Sequence, residues 1–177
     1  MIYDDLYRYT GKKTFVLLLR YVLFTPGFRY VFFLRKCQQS KNSIVKIFWL
    51  ICLRLCMHRT GIQIPYQTRI DNGFRIAHFG NIVINPSASI GKNFNIANGV
   101  TIGNASGKKS GVPVIGNNVY VSANAVIIGR VKIGDNVLVA PNAFVNIDIP
   151  DGAIALGNPC QIIPKHKASE KYIVYKI

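Results

Sequence analysis

The sequence predicts a mainly β protein, in which a parallel β-solenoid follows a small α-helical region. Between residues 64 and 163 an aliphatic residue recurs every six positions, with small or polar residues between. Each six-residue unit would form one flat side of a triangular coil and direct its aliphatic side chain toward the coil axis. One unit cannot bury that side chain, so the repeat indicates stacked coils that share one continuous core.

The repeat consists of three runs separated by two irregularities. A two-residue slip follows the first run, and a break at residues 103–114 follows the second. Tight corners need left-handed or cramped backbone, which asparagine tolerates better than most residues. The aliphatic positions are Ile64, Ile70, Ile76 and Ile82; then Ile84, Ile90, Ile96 and Ile102; then Ile115, Val121, Ile127, Ile133, Val139 and Val145. The asparagines expected at corners are Asn72, Asn93, Asn104, Asn117, Asn118 and Asn136.

Residues 1–60 lack the repeat and are typical of helices. Apolar segments at residues 14–24, 28–36 and 43–57 are separated by breaks such as Thr25-Pro26-Gly27. None has the roughly 18 to 20 uncharged residues that a membrane span requires. They either pack on one another and on the solenoid end, as a cap and oligomerisation element, or lie as amphipathic helices in a membrane interface.

Three regions are therefore expected. They are a helical region at residues 1–60, a solenoid domain at 61–164 and a tail at 165–177. In the tail, residues 171–177 alternate enough to form a short strand or a helix on the solenoid end.

The net charge of +15 is concentrated in the helical region. Residues 1–60 hold eleven lysines and arginines against two aspartates, a net charge of +9. Such a surplus suits anionic lipid or a phosphorylated cofactor or substrate. Nucleic acid is not expected as a partner, because no recognised binding motif accompanies the charge and the aromatic residues lie among leucine and valine.

The N-terminus and the cysteines indicate an intracellular chain. Residues 1–10 contain Asp4 and Asp5 and lack a basic start, so no signal peptide is expected. The four cysteines have neither disulfide nor zinc spacing, and Cys52 and Cys56 are interpreted as a buried thiol pair. No metal is expected. We expect a cytoplasmic protein that contacts the inner face of the cell membrane peripherally.

One histidine within the coils is not explained by the repeat. His78 lies two positions after Ile76, where its side chain points outward, into a groove or along an edge. An unperturbed imidazole has a pKa of about 6.5 and is a suitable general base near neutral pH. A surface or packed histidine is the alternative interpretation. His58 and His166 lie outside the repeats and are interpreted as surface or packing residues.

Several segments resemble one enzyme family. The hexapeptide array, INPSASIGKNFNIANGVTIG, VIGNNVYVSANAVIIG and the terminal GNPCQII resemble the serine acetyltransferase branch of the left-handed β-helix acyltransferases. The short N-terminal region and HFGNIVINPSASIGKN resemble more closely the serine acetyltransferase-like proteins of polysaccharide biosynthesis. The resemblance implies a left-handed parallel β-helix, a homotrimer, and acetyl-CoA bound in the groove between neighbouring solenoids.

The resemblance also implies site residues. His78 falls on the family's catalytic histidine, while Gln63, fifteen residues earlier, replaces the aspartate that orients it. Gln63 would orient the imidazole without supplying a carboxylate. Asn98 is a candidate for contact with the acceptor, and Asp71 either replaces the missing aspartate from a different coil edge or meets the acceptor. The loop lysines Lys108 and Lys109 either contact the phosphates of coenzyme A or are solvated. Cofactor contacts by matching position are Gly103, Ser122, Ala123, Ala140, Gly157, Asn158 and Pro159.

The acceptor is the least determined part of the site. Serine-specific members of the family carry Asp-Arg-His-Pro at the end of the loop, where this chain has Ser110-Gly111-Val112-Pro113. The carboxylate of serine calls for a cation, whereas a sugar hydroxyl does not. We therefore expect an acetyl-CoA-dependent O-acetyltransferase acting on a sugar of a capsule or lipopolysaccharide precursor. Serine is the alternative acceptor, and a non-catalytic trimeric scaffold is the second alternative.

Overall fold

The computed structural model describes residues 1–177, apart from the side chain of Lys108. The helices come first, followed by short strands and one short 3₁₀ turn at Gly107–Lys109. The helices are α1 (Ile2–Thr10), α2 (Phe15–Phe24), α3 (Pro26–Gln39) and α4 (Ser43–Thr60). The strands are β1 (Arg69–Ile70), β2 (Arg75–Ile76), β3 (Val83–Ile84), β4 (Ser89–Ile90), β5 (Asn95–Ile96), β6 (Thr101–Gly103), β7 (Val114–Ile115), β8 (Tyr120–Val121), β9 (Val126–Ile128), β10 (Lys132–Ile133), β11 (Leu138–Val139), β12 (Phe144–Val145), β13 (Ile154–Leu156) and β14 (Gln161–Ile163).

The strands form the three faces of a triangular prism. The first face has the order β1-β4-β7-β10, the second β2-β5-β8-β11-β13-β14, and the third β3-β6-β9-β12. Every pairing is parallel except that of β13 with β14, where the chain folds back on itself. The predicted fold is confirmed: the chain is a left-handed parallel β-helix preceded by a helical region.

Three edges join the faces, and each is a column of corners. The asparagine edge, between the first and second faces, contains residues 71–74, 91–94, 116–119 and 134–137. The histidine edge, between the second and third faces, contains residues 77–82, 97–100, 122–125, 140–143 and 157–159. The loop edge, between the third and first faces, contains residues 85–88, 103–113, 129–131 and 146–148.

The aliphatic repeat forms the core, as predicted. All fourteen repeat positions are buried, and the most exposed is Ile70 at 4%. Parallel pairing places successive members directly above one another, as in the register of Ile70, Ile90, Ile115 and Ile133. At the asparagine edge Phe74 and Phe94 stack with ring centroids 5.9 Å apart. Each coil therefore buries its apolar residues only against the coils above and below it.

The corner asparagines are partly as predicted. Asn93, Asn118 and Asn136 adopt left-handed backbone, with φ between 53° and 57°, and follow one another along the asparagine edge. Asn72 and Asn117 also lie at the asparagine edge and Asn104 at the loop edge, but none of the three has positive φ. Asn117 precedes the left-handed residue and uses its side-chain oxygen to accept the backbone N–H of Lys92 at 2.9 Å.

Helices α1 and α3 cover the open side of the first coil. Two tyrosines, one buried and one partly buried, bind its backbone, each through one hydroxyl. The Tyr30 hydroxyl donates to the carbonyl of Ile64 and accepts its N–H, both at 3.0 Å. The Tyr9 hydroxyl does the same for Ile76, at 3.2 and 2.8 Å. Because no further coil lies below the first one, these groups would otherwise have no partner in the solenoid.

A buried ion pair between α1 and α3 completes this cover. The Asp5 carboxylate accepts the backbone N–H groups of Gly73 and Phe74 at 2.9 and 2.8 Å. Arg35 donates to Asp5 at 2.8 Å and to the carbonyl of Ile70 at 2.6 Å. Both side chains are fully buried. Burial raises the pKa of Asp5, and the guanidinium of Arg35 opposes that effect.

Several local predictions need correction. Helix α1 was missed, α3 extends from residue 26 to 39 instead of 28 to 36, and α4 continues to residue 60. The tail forms neither a strand nor a helix on the solenoid end. It runs back along the outside of the second face, where Tyr172 stacks on Tyr120 at 5.3 Å and the N–H of Ile177 donates to the side chain of Asn93 at 3.0 Å.

Neighbouring aspartates in α1 allow a controlled stability test. Asp5→Asn leaves the cation of Arg35 buried without a counter-charge, so we expect the free energy of unfolding to fall by about 3–5 kcal/mol. Asp4 lies next door in a partly exposed pair with Lys13, and Asp4→Asn should cost less than about 1 kcal/mol. Urea unfolding followed by circular dichroism measures both. Equal losses for the two variants would contradict a capping role for Asp5.

The cysteines differ in accessibility. Cys37 and Cys56 are buried, which confirms burial for Cys56, whereas Cys52 is only half-buried, as is Cys160. Burial raises the pKa of the Cys37 thiol to about 11 and also raises that of Cys56. Among the side chains that the structure describes, no three histidine, cysteine or acidic residues are grouped to hold a metal ion.

Thiol labelling should reflect this difference. Because the thiolate is the reactive species, Cys37 in the native protein should react with iodoacetamide at pH 8 much more slowly than Cys52. Peptide mass spectrometry after timed labelling measures each site. Labelling in urea is the control, since there all four should react at similar rates. Rapid native labelling of Cys37 would contradict its buried position.

Candidate functional site

His78 lies on an outward bulge at the histidine edge. Ile76 pairs with Ile96, twenty positions on, whereas Ile84 pairs with Ile102 after only eighteen. The two extra residues between β2 and β3 widen this corner and carry His78 out of the coil. Its side chain is exposed, and the imidazole has no hydrogen-bond partner among the residues that the structure describes. A free imidazole at a corner is available to take a proton from a bound hydroxyl.

Most of the predicted site residues follow His78 along the same edge. Coil-to-coil hydrogen bonds establish the column: the N–H of Asn124 donates to Asn98, that of Asn142 to Ala123, and that of Phe144 to Gly157, each at 3.0 Å. At about 4.8 Å per coil, the edge runs on the order of 19 Å from His78 to the last coil. The predicted residues on it are Asn98, Ser122, Ala123, Ala140, Gly157, Asn158 and Pro159.

Small side chains make this edge a shallow track lined by backbone. Ser122 and Ala140 are only 6% and 7% exposed. Ala97, at the equivalent position one coil before Ser122, is also buried. An extended ligand can therefore approach the main chain closely over several coils. The resemblance implied these residues as cofactor contacts, and that role stays a prediction.

Gln63 and Asp71 lie elsewhere on the first coil. Gln63 bridges in parallel to Val83 on the third face, and its side chain is exposed. Among the described hydrogen bonds none joins Gln63 to His78, so its orienting role stays a prediction. Asp71 lies at the asparagine edge, and its carbonyl accepts from Arg35 at 2.7 Å. One protomer therefore does not bring Asp71 to His78.

The loop residues lie at the loop edge. Gly103 ends β6 and pairs with Ile128, and the Lys109 ammonium donates to the carbonyl of Asn146 at 2.8 Å. The side chain of Lys108 lies outside the described part of the structure. In a single protomer the third face separates these residues from His78, so the two halves of the predicted site do not meet within one chain.

Arg130 is a residue that sequence reasoning missed. The loop folds down on the next coil, where the N–H of Arg130 donates to the carbonyl of Lys109 at 3.0 Å. The same loop closes through an antiparallel bridge between Ala105 and Gly111. A Cβ added to Gly111 would lie 3.0 Å from the Cβ of Arg130, so the arginine stem packs directly on the loop end. The guanidinium is exposed beside the residues that replace the Arg-His pair.

Comparison with known proteins gives one family match and several similar enzymes. Residues 113–146, from the start of β7 past the end of β12, match the model "Bacterial transferase hexapeptide (six repeats)". The serine acetyltransferase of Helicobacter pylori (strain ATCC 700392 / 26695) is 37% identical over 110 residues, which cover 61% of this chain and 64% of that enzyme. The match thus spans less than two thirds of the length of the curated relatives, from 64% of the Helicobacter pylori enzyme down to 29% of serine acetyltransferase 4 of Arabidopsis thaliana.

Solved structures agree with the fold. The chain superposes on soybean serine acetyltransferase complexed with serine with a TM-score of 0.74 and 26% identity, covering 92% of this chain and 67% of that one. For Brucella abortus serine acetyltransferase in complex with coenzyme A the TM-score is 0.75 at 23% identity, covering 93% and 66%. This second likeness shows the fold alone.

These findings correct the expected acceptor. The matches are serine acetyltransferases, and they contradict the expectation of a sugar acceptor in polysaccharide biosynthesis. The expectation rested on the absence of a cation from the loop itself, but Arg130 of the next coil packs its side-chain stem against Gly111 at the loop end. The chain is therefore similar to serine acetyltransferases in sequence and fold, and its residues 113–146 carry the hexapeptide repeat of bacterial transferases.

Proposed function

We propose that this protein is an acetyl-CoA-dependent O-acetyltransferase whose acceptor is serine. The observation that carries the proposal is His78, exposed at the head of an edge of small residues on this fold. Two further findings support it: the similarity to serine acetyltransferases, and the serine and coenzyme A held by two structures with the same fold.

The chemistry requires one general base. The imidazole of His78 takes the proton from the serine hydroxyl as its oxygen attacks the carbonyl carbon of the thioester. The tetrahedral intermediate then expels the thiolate of coenzyme A, which receives the proton from the imidazolium. O-acetylserine and coenzyme A are the products, and no acyl-enzyme is required.

Coenzyme A is proposed to lie along the histidine edge. The small side chains of Ser122, Ala123 and Ala140 let the extended cofactor contact backbone there, with Gly157, Asn158 and Pro159 at the far end. Bringing both substrates into one groove accounts for a large part of the expected rate enhancement. Lys109 would reach a cofactor phosphate only by exchanging its hydrogen bond to Asn146.

The complete site requires a second protomer. The histidine edge and the loop edge border the third face on opposite sides, so a ring of protomers lets the loop edge of one chain face the histidine edge of the next. Because this contact joins two different edges head to tail, a homotrimer is the smallest ring that it can close. In such an assembly Asn98 would lie on the acceptor side of His78, and Gln63 would hold the imidazole tautomer by accepting a hydrogen bond.

Arg130 is our candidate for the carboxylate of serine. A guanidinium binds a carboxylate through two parallel hydrogen bonds, which a lysine ammonium does not reproduce. Its stem is held in place by Gly111, while its exposed head is available for the ligand. In the proposed trimer Arg130 and His78 come from different protomers.

Replacing His78 tests the proposed function. We expect His78→Ala to lower kcat roughly 10²- to 10⁴-fold, because the serine hydroxyl loses its base, with little change in the affinity for coenzyme A. Thiol release from acetyl-CoA in the presence of serine measures the rate. His166→Ala is the matched control, because His166 is also exposed but lies in the tail. No serine-dependent thiol release by the wild type would favour the trimeric scaffold, and wild-type rates for His78→Ala would remove His78 from its role.

Replacing Arg130 tests acceptor recognition. A charge-assisted hydrogen bond contributes about 1.5–3 kcal/mol, so Arg130→Ala should raise the KM for serine roughly 10- to 100-fold. The KM for acetyl-CoA should not change. Lys132→Ala, an exposed cation two residues away, is expected to behave as the wild type. An equal rise for both substrates would indicate a structural role for Arg130 instead.

A further inference from the structure

The outer side of α4 is an exposed apolar surface, which we call the α4 apolar face. It consists of Ile44, Ile47, Phe48, Ile51 and Leu55, whose side chains are 55% to 79% exposed. Their spacing of three and four residues places them on one side of a helix about 27 Å long. A contiguous apolar surface of this kind marks a site of interaction.

The opposite side of α4 is already packed. Leu53 and Cys56 are buried in the core of the protein, and Trp49 lies against Phe33 of α3 with ring centroids 6.1 Å apart. The helix is therefore held in place by its inner side, and the α4 apolar face is free to contact something outside this chain.

Charge around α4 selects the occupant. From residue 6 to residue 70 the sequence has twelve lysines and arginines and no aspartate or glutamate. Arg54 and Arg59 on α4, and Lys41 just before it, are exposed, and none of them is in an ion pair among the residues that the structure describes. An apolar face on a helix that carries exposed cations and no carboxylate is complementary to anionic lipid, whose headgroups are negative and whose interior is apolar.

A second copy of the chain is a poorer match for this surface. Two copies facing each other through α4 would bring together two sets of cations, and this region has no carboxylate to pair with them. The cations of the two copies would repel each other in such a contact. Apolar burial alone would have to offset it.

Helix α2 has the same character. Phe15, Val16, Leu19 and Leu23 are 48% to 75% exposed, and Arg20 lies among them. Taken singly, no helix in the described chain is long and apolar enough to cross a membrane. Helices α2 and α3 meet the length and hydropathy criteria only together, with a bend of 112° between them.

Two cavities adjoin Arg54. One of about 400 Å³ lies between α4 and the first coil and is lined mainly by apolar side chains, including Leu53, Met57 and Ile64. A shallower one of about 290 Å³ lies on the outer side, beside Ile51. Arg54 lines both cavities, so it lies at the boundary between the α4 apolar face and the larger cavity. A phospholipid whose headgroup phosphate bound there would have its acyl chains beside apolar surface.

We propose that the α4 apolar face docks in the interface of an anionic lipid bilayer, with Arg54 against a headgroup phosphate. The phospholipids of the cytoplasmic leaflet are the partner. This surface lies on the helical cap and is independent of the acetyltransferase activity, so its test does not depend on turnover.

Sedimentation of the full-length protein with vesicles tests the proposal. We expect binding to vesicles that contain phosphatidylglycerol, weaker binding at high salt, and little binding to phosphatidylcholine alone. The double variant Phe48→Ser/Ile51→Ser should bind at least roughly tenfold more weakly, because two large apolar groups no longer enter the interface. Arg54→Glu should also weaken binding without disturbing the apolar face.

A matched control and a mass measurement separate the other outcomes. Ile163→Ser/Val174→Ser removes two apolar groups that are exposed away from α4, and it should bind as the wild type. Wild-type protein that stays in the supernatant with anionic vesicles would overturn the proposal, as would unchanged binding of both α4 variants. Light scattering without lipid tests the second copy: a smaller assembly for the double variant would show that α4 joins protomers and would also overturn the proposal.

Discussion

The open edge of the first coil is the constraint on which the rest of the structure depends. A parallel solenoid pairs each coil with the next, so its first coil presents N–H and C=O groups that no strand can satisfy. Here α1 and α3 satisfy them with side chains, through Tyr9, Tyr30, Asp5 and Arg35. The helices therefore end the sheet chemically as well as sterically, and another chain cannot add a strand at this position.

The same cover places the proposed base. Tyr9 holds both backbone groups of Ile76, and the bulge that carries His78 begins at the very next residue. On the other side, the N–H of Ala77 donates to Ile96 at 2.8 Å. The start of the bulge is thus bound from below by the cap and from above by the second coil. An exposed imidazole can meet a substrate in one geometry only if the backbone that carries it is held in place.

The periodic part of the structure could be predicted from the sequence, because a six-residue spacing records burial directly. Every aliphatic repeat position lies in the core, and the bulge at His78 is visible as a slip in the spacing. The cap could not be predicted in the same way. Asp4 and Asp5 look alike in the sequence, and only the arrival of Arg35, thirty residues later, makes one of them a buried partner.

The error about the acceptor has a similar origin. A motif comparison considers only the order of residues along the chain. In that comparison the loop lacks the arginine and histidine that serine-specific members of the family carry. In a solenoid the neighbours of a residue lie one coil away. Ile84 pairs with Ile102 after eighteen residues, whereas the loop lengthens the next step, from Ile102 to Ile127, to twenty-five. Arg130 packs on Gly111, nineteen residues before it. Arg130, the cation that we propose for the serine carboxylate, thus stands on a different coil from the loop. For this fold, the edge and the coil on which a side chain stands describe its chemical role better than its place in a motif.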